Sequence, residues 1–273
     1  MSSWLTDIRG RVPLMPSILL GALPILALLA IWWLLTAGPV EERTISPTIL
    51  PSPGEVAGQV PELFAKRTED GGNALLHHVL SSLRRVWVGF LIGCAVALPI
   101  GIAAGAFGSV RAMVAPLMTA AGYIPIATLV PLTMSWFGTD EKQKYIFLAM
   151  AFAIYLLPQV VKAIDAVPDV FARTAFTLGS SRLHVVRKVL VPIALPDLWH
   201  ALRLAFGVGW TYIVLTEALV LSDGLGFLVE TARRRGPREQ IYLAILIITA
   251  IAWLADLLWE RIGRRLFPYR MRR

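Results

Sequence analysis

Six stretches of apolar residues, each about as long as a membrane is thick, constrain this chain more than any other feature of its sequence. The stretches cover residues 17–37, 86–107, 112–136, 145–163, 198–221 and 241–262. A helix needs about 20 predominantly apolar residues to cross the hydrocarbon core of a bilayer. Only 16% of the 273 residues are charged, whereas soluble domains carry about 25%. The sequence therefore predicts an all-α integral membrane protein with six transmembrane helices.

The distribution of charge predicts which side of the membrane each loop occupies. Six spans place both termini on one side, which carries 14 Lys and Arg residues and six Asp and Glu residues. The opposite side carries 11 of each kind. Because cytoplasmic loops are enriched in Lys and Arg, we predict that both termini and the loop between spans 4 and 5 are cytoplasmic.

The spans divide the chain into five parts. We predict a cytoplasmic tail over 1–16, a first transmembrane helix over 17–37, a periplasmic segment over 38–81, a membrane core over 82–265 that contains an interspan loop at 165–196, and a basic cytoplasmic tail over 266–273. In the periplasmic segment, Ser52 and Pro53 are of the types that begin a helix, since Ser caps the first turn and Pro fits it. We expect a short surface helix there that continues to Lys66.

Small residues and prolines shape the second and third spans. The glycines of the second span recur in steps of four, at Gly89, Gly93, Gly101 and Gly105. This spacing lets helices approach closely in lipid, so we predict a tightly packed neighbour. In the third span, Pro116, Pro125 and Pro131 predict a broken helix. The backbone groups freed by such a break are tolerated only inside protein or facing a water-filled cavity.

The interspan loop is polar and basic, and it is patterned for two short helices. Phe171, Ala175 and Leu178 fall on one face of the first helix. The Gly-Ser-Ser sequence at 179–181 then interrupts, since Gly tolerates positive φ and Ser can cap the helix that follows. A plain connection between helices needs only a few residues. We infer that a partner outside the membrane binds this loop; the alternative is a positive loop that lies on anionic lipid.

The second short helix of the loop has its own apolar face, formed by Leu183, Val186 and Leu190. We expect Pro192 and Pro196 to end this helix, because proline lacks the N–H and clashes inside a helix. The basic residues of the loop lie on other faces: Arg173, Arg182, Arg187 and Lys188.

The spacing of residues in the interspan loop resembles a pattern found in a known protein family. Ala175 is followed after three residues by Gly179, and after nine more residues by Val189-x-Val191-Pro192. This resembles the coupling loop of type I ABC importer permeases, which reads Glu-Ala-Ala, three residues, Gly, nine residues, Ile-x-Leu-Pro. Arg173 and Thr174 depart from the Glu and the first Ala of that pattern.

Other segments resemble one branch of these permeases, which serves nitrate, bicarbonate, sulfonates, taurine and pyrimidine precursors of thiamin. The segments are 50–53 (LPSP), 81–86 (SSLRRV), Trp210 followed by Glu217, and 224–228 (GLGFL). In the third span the branch usually reads Arg-Pro-Ile-Pro-Pro, whereas this chain has Gly-Tyr-Ile-Pro-Ile at 122–126. The resemblance covers about residues 45–265 and does not identify the solute.

The resemblance implies how the transport work is divided among subunits. It implies a permease of the bacterial inner membrane that moves a small solute by alternating access, with two ATPase subunits inside and a periplasmic or lipoprotein binding protein outside. The chain has no G-x-x-x-x-G-K-[ST] phosphate loop, so we expect no cofactor here and ATP and Mg²⁺ in the partner. We further expect a second permease copy and surrounding lipid, and no nucleic acid. The residues expected to dock the ATPase are Phe171, Arg173, Ala175, Leu178, Gly179, Ser180 and Arg182.

The candidate translocation pathway rests on one carboxylate and several aromatic residues. A carboxylate such as Glu217 inside a span is costly and usually faces a bundle interior or cavity. It is interpreted either as a pathway or gate residue or as a structural hydrogen-bond partner of a neighbouring helix. Tyr123, Trp136 and Trp210 line the cavity in one interpretation and fill helix contacts or the membrane interface in the other. The pathway residues predicted are Tyr123, Pro125, Trp136, Trp210 and Glu217.

Two other classes of function fit the sequence less well. A transporter driven by an ion gradient normally shows internal repeats and paired ionisable residues within its spans, whereas only Glu217 stands clearly inside a span here. A membrane-embedded enzyme needs a nucleophile or metal constellation, and neither H-E-x-x-H nor G-x-S-x-G occurs. The ion-gradient-driven secondary transporter remains the alternative.

Overall fold

The computed structural model describes residues 12–41, 43–67, 71–219, 223–235 and 238–269, which form a helical bundle. The helices are α1 (Leu14–Leu35), α2 (Pro53–Ala65), α3 (Ala74–Ala106), α4 (Gly108–Gly122), α5 (Leu129–Phe137), α6 (Glu141–Asp165), α7 (Asp169–Thr177), α8 (Arg182–Val185), α9 (Val191–Leu219), α10 (Leu225–Arg235) and α11 (Arg238–Leu266). A 3-10 turn, Ile126–Thr128, precedes α5, and a π-helical turn, Val186–Leu190, joins α8 to α9. No β-strand occurs among the described residues.

The long helices confirm the predicted all-α membrane fold. Five of the described helices are long and apolar enough to cross a membrane, and a sixth span results when α4 and α5 are taken together. None of the residues of α1 is buried against the rest of the chain, whereas half of the apolar window of α6 is buried. The bundle is therefore built around α6, and α1 stands at its margin.

The glycines of the second span form the closest helix contact of the core, as their spacing predicts. A Cβ atom at any of the four would lie 2.5–2.7 Å from a side-chain carbon of α6. The facing residues of α6 are Leu148, Phe152, Val160 and Ile164. Real Cβ contacts are longer than this, so only glycine allows α3 and α6 to lie at this distance.

The third helix of the core is α9, which packs on α6 through aromatic and small residues. The ring of Phe152 lies where a Cβ of Gly209 would stand. Phe206 packs edge-to-face on Phe90, with ring centroids 5.2 Å apart, and also lies against Trp259 of α11. These contacts place the buried centre of the molecule between α3, α6 and α9, with α11 covering one side.

The third span is broken at one of its three prolines. The helix pair α4 and α5 is bent by 83°, at the turn that contains Pro125. Pro116 lies inside α4, and Pro131 lies in the first turn of α5, where proline is tolerated. The predicted break is present, but Pro116 and Pro131 do not cause it.

The prediction that Pro192 and Pro196 end the second short helix is wrong. The helix that begins at Arg182 continues through the π turn and both prolines to Leu219 as one span of 38 residues. Pro192 is the second residue of α9, separated by one residue from the π turn, and it interrupts one backbone hydrogen bond without ending the helix. Pro196 is buried in the bundle, where neighbouring helices stabilise the interrupted backbone.

The predicted surface helix begins where expected. Ser52 accepts a hydrogen bond from the backbone N–H of Glu55, and the Glu55 carboxylate accepts one from the N–H of Ser52. The Ser52 amide, with help from Arg43, holds the pKa of Glu55 below its usual value. The indole of Trp32 in α1 donates to the carbonyl of Pro51 at 2.9 Å. The segment between α1 and α3 therefore anchors the end of α1.

Candidate functional site

The interspan loop presents an apolar surface that the chain itself does not cover. It leaves α6 at Asp165 and forms α7, in which Phe171 is 47% exposed, and Leu178 directly after α7 is 80% exposed. The same loop packs against the bundle through other residues, since Val167 and Val185 are buried. The exposed apolar side chains therefore contribute nothing to the core of this chain.

A glycine sets the direction between the two helices of the loop. Gly179 has φ = +81°, in the left-handed region that side chains disfavour. Ser181 caps α8 by accepting a hydrogen bond from the N–H of His184 at 3.4 Å. The break and the cap are confirmed, and they hold α7 at a fixed angle to the long helix that contains α9.

The residues predicted to dock an ATPase all lie on this loop surface. Phe171, Arg173, Leu178, Gly179 and Arg182 are exposed, while Ala175 and Ser180 are half-buried. The guanidinium of Arg173 lies 3.4 Å from the Asp169 carboxylate one turn earlier. Three further apolar residues of the loop are exposed: Val170, Phe176 and Leu183. The sequence analysis placed Leu183 on the apolar face of the second short helix and did not name the other two.

A cavity separates this loop from the membrane core. It has a volume of about 420 Å³ and lies between the α3–α4 turn at Phe107 and the inner side of α7 at Phe176. On its rim, Arg111 of α4 and Asp165 of α6 form an ion pair of 2.9 Å. The ion pair therefore links α4 to α6 where the loop begins, and the loop continues through α8 and the π turn into α9.

Three predicted pathway residues are exposed on the third span, and two of them lie at its bend. Tyr123 and Pro125 are exposed in the turn between α4 and α5, and Tyr123 is 84% exposed. Trp136 is exposed near the end of α5. An exposed, irregular turn at membrane depth is tolerated where it lines a cavity or contacts protein.

The other two predicted pathway residues lie inside the bundle. Trp210 is buried in α9, beside a cavity of about 500 Å³ between α9, α10 and α11. Glu217, one to two turns later, is fully buried. Its carboxylate accepts hydrogen bonds from the Ser82 hydroxyl at 2.8 Å and from the N–H of Gly226 at 2.9 Å. In this conformation Glu217 contacts protein groups, and its pathway role stays a prediction.

Arg85 of α3 is the centre of a buried group of charges that sequence reasoning missed. Its guanidinium donates to Glu217 of α9 at 2.7 Å and to Glu141 of α6 at 3.0 Å. It also pairs with the Asp223 carboxylate and donates to the Asp223 carbonyl at 3.0 Å. We refer to Ser82, Arg85, Glu141, Glu217 and Asp223 as the outer charge cluster, because it lies at the end of the bundle opposite α7.

The turn into α10 is shaped to close over this cluster. Gly224 has φ = +109°, and a side chain there would overlap the Glu217 carboxylate. The N–H of Leu225 donates to the Ser82 hydroxyl at 2.9 Å, and the N–H of Gly224 donates to Nδ1 of His78 at 3.0 Å. The start of α10 is therefore held against α3 by the hydrogen bonds of Gly224 and Leu225, and against α9 by the hydrogen bond from Gly226 to Glu217.

The far end of α10 presents positive charge. Arg233 and Arg234 both pair with Glu230 at 2.6 Å, and their side chains remain about 60% exposed. Hydrogen bonds from these two guanidinium groups lower the pKa of Glu230 to about 2. One carboxylate thus balances two arginines, and this surface keeps a net positive charge.

Comparison with known proteins identifies the family. Residues 97–270 match the family described as the binding-protein-dependent transport system inner membrane component. The chain belongs to this family of transport permeases.

Three relatives align over nearly the whole chain. The taurine transport system permease protein TauC of Escherichia coli (strain K12) is 30% identical, over 96% of this chain and 94% of its own length. The putative aliphatic sulfonates permease SsuC of Bacillus subtilis (strain 168) is 27% identical over 96% and 90%. The nitrate import permease NrtB of Synechococcus elongatus is 26% identical over 98% and 94%.

Solved structures show the same fold. The MetNI methionine ABC transporter in an inward-facing conformation matches with a TM-score of 0.63 and 20% identity, over 70% of this chain and 95% of that chain. Together with the family match, this confirms an ABC transporter permease, a multi-pass protein of the bacterial inner membrane.

Proposed function

We propose that this chain is the permease subunit of an ATP-driven importer that carries a small solute with an anionic group into the cytoplasm. The relatives are named for taurine, aliphatic sulfonates and nitrate, which all contain an oxyanion group that is ionised at neutral pH; in taurine an ammonium group balances its charge. Nitrate, bicarbonate or a sulfonate such as taurine is therefore the substrate class. A soluble binding protein, periplasmic or lipoprotein, delivers this solute to the outer face.

The observation that carries the proposal is the uncovered apolar surface of the interspan loop. Phe171 and Leu178 project from a segment that is fixed to the bundle, with a helix break set by Gly179. Such a surface fits the groove of a soluble partner, and the family supplies an ABC ATPase as that partner. ATP and Mg²⁺ bind in the ATPase, and the chain by itself is not an enzyme.

The arrangement of the spans supports alternating access. The interspan loop joins α6 directly to α9, so closure of paired ATPases moves both helices as rigid bodies. One chain offers one such loop and one half of a pathway, and we propose a dimer of two copies. Both termini and the loop then face the cytoplasm. Tyr123 and Pro125 at the bend, and Trp136 near the end of α5, face the other copy across the pathway.

Binding of the ATPase provides the test. The permease is purified in detergent with a candidate ABC ATPase of the same genome, and Leu178→Asp is compared with wild type. A charge at this exposed position disrupts an apolar contact without entering the core, so the complex is expected to be lost while the thermal stability stays unchanged.

The matched control is Ile49→Asp, which places the same charge at an exposed apolar residue of the periplasmic segment. This variant is expected to bind the ATPase as wild type does. Equal binding by Leu178→Asp and wild type, or no binding by either, would contradict the proposed docking surface.

A further inference from the structure

The outer charge cluster joins parts of the chain that have separate tasks in the proposed function. Arg85 reaches residues 56, 132 and 138 positions away in sequence, on α6, on α9 and in the turn before α10. Only 2% of its surface is exposed. Its guanidinium pairs with one carboxylate from each of these three segments.

Net stability does not explain why such a cluster is present. Burying charges removes them from water, and replacing a buried ion pair with well-packed apolar residues is often neutral or stabilising. Breaking one partner, in contrast, leaves a buried charge uncompensated. The cluster therefore imposes one relative position on α3, α6, α9 and α10, and a displacement of any of them is resisted by the other three.

The cluster has one connection to the outer surface and one to the cytoplasmic side. Its outer connection is α10, whose first residues bond to Ser82 and Glu217 and whose last residues form the positive surface at Arg233 and Arg234. Its inner connection is α6, which begins at Glu141 and ends at Asp165, four residues before α7. A helix of 25 residues is about 37 Å long, so α6 spans the membrane from the cluster to the interspan loop.

We propose that Arg85 is a positioning residue that transmits docking of the binding protein on α10 through Glu141 and α6 to the ATPase bound at α7. This inference rests on the proposed function. Docking that shifts α10 displaces Asp223 and Glu217, and Arg85 passes the displacement to Glu141 at the start of α6. Arginine suits this role because its planar group donates to several carboxylates at fixed angles, whereas lysine acts as a single point charge.

The test measures ATP hydrolysis by the reconstituted permease and ATPase against the concentration of solute-loaded binding protein. For Arg85→Lys and Glu141→Gln we expect basal hydrolysis close to wild type. We expect the maximal stimulation by the binding protein to fall roughly fivefold or more, because coupling between two sites typically changes an equilibrium by at least that factor. The concentration for half-maximal stimulation should stay unchanged, because the docking surface is intact.

Adjacent residues supply matched controls. Arg84 and Asp140 are exposed neighbours of Arg85 and Glu141, so Arg84→Lys and Asp140→Asn are expected to keep full stimulation. Glu141→Gln keeps the test decisive should Arg85→Lys fold poorly, because the Glu141 side chain is 41% exposed and the amide oxygen of Gln can still accept hydrogen bonds from Arg85 and from the buried Lys144.

Two results would overturn the inference. One is full stimulation in both cluster variants, and the other is a change confined to the half-maximal concentration, which would assign the cluster to docking alone. A wild-type permease that the binding protein does not stimulate would overturn the proposed function itself, and the wild-type measurement distinguishes that case.

Discussion

At the scale of single residues, the sequence predicts close packing better than it predicts buried charge. The glycine spacing of α3 predicted a tight contact because four side chains are missing from one face, and that signal lies within one helix. Arg85 follows Arg84 at the edge of an apolar run, so the sequence indicated two arginines outside the membrane. Its carboxylate partners lie at least 56 residues away, and only the folded chain brings them to Arg85.

Substitution of one of these glycines tests the packing directly. A Cβ at Gly93 would lie 2.7 Å from Phe152 and 3.0 Å from the carbonyl of Ala149. We expect Gly93→Ala to lower the free energy of unfolding by about 1–3 kcal/mol, the usual cost of overpacking. Gly207→Ala in α9, where nothing lies within 4 Å, is the control and should not lower stability. Thermal unfolding in detergent measures both, and equal stability of the two variants would contradict the α3–α6 contact.

At the scale of helices, hydropathy located the spans but not their ends. We predicted that the second span begins at residue 86, whereas α3 begins at Ala74, capped by Asn73. Polar residues such as Ser82 continue the helix because they find partners on α9 and α10. The continuation of α9 through Pro192 was missed for a related reason. The rule that proline ends a helix describes an isolated helix. In this bundle, the π turn and the neighbouring helices stabilise the backbone around the proline.

The angle between α7 and α8 gives a prediction at this scale. Gly179 has a positive φ but open space around its Cβ position, so a substitution there acts through backbone strain alone. A non-glycine residue in this conformation costs about 1–2 kcal/mol, and Asn tolerates it better than Ala. We expect affinity for the ATPase to be highest for wild type, lower for Gly179→Asn and lowest for Gly179→Ala, with the stability of the bundle unchanged. Calorimetric titration with the ATPase measures this order. A Gly179→Ala permease that binds the ATPase as tightly as wild type would show that the angle is irrelevant to docking.

At the scale of the whole molecule, the two ends of the bundle have opposite character. The end that carries α7 presents exposed apolar groups, whereas the opposite end buries several charged groups in the outer charge cluster. Composition predicted the membrane fold, and charge distribution predicts that the α7 end is cytoplasmic. The sequence predicted a break in the third span, but its position at Pro125 and the partners of Glu217 required the packed structure, because both depend on contacts between distant helices.

The orientation is tested with single cysteines. The chain has one cysteine, Cys94, which is buried and is first replaced by Ala. Ser46→Cys and Thr177→Cys then place thiols at exposed positions in the periplasmic segment and in α7. An impermeant maleimide should label the first in intact spheroplasts and the second only after the membrane is opened. The reverse pattern would contradict a cytoplasmic interspan loop.

The most direct measurement is solute uptake into proteoliposomes that contain the permease and its ATPase, with the binding protein outside and ATP enclosed. Labelled taurine, an alkanesulfonate and nitrate are offered in turn. We expect accumulation of at least one of these solutes only when ATP, the ATPase and the binding protein are all present, and no accumulation with the Leu178→Asp permease. Uptake without ATP that follows an imposed ion gradient would contradict the account and indicate a secondary transporter.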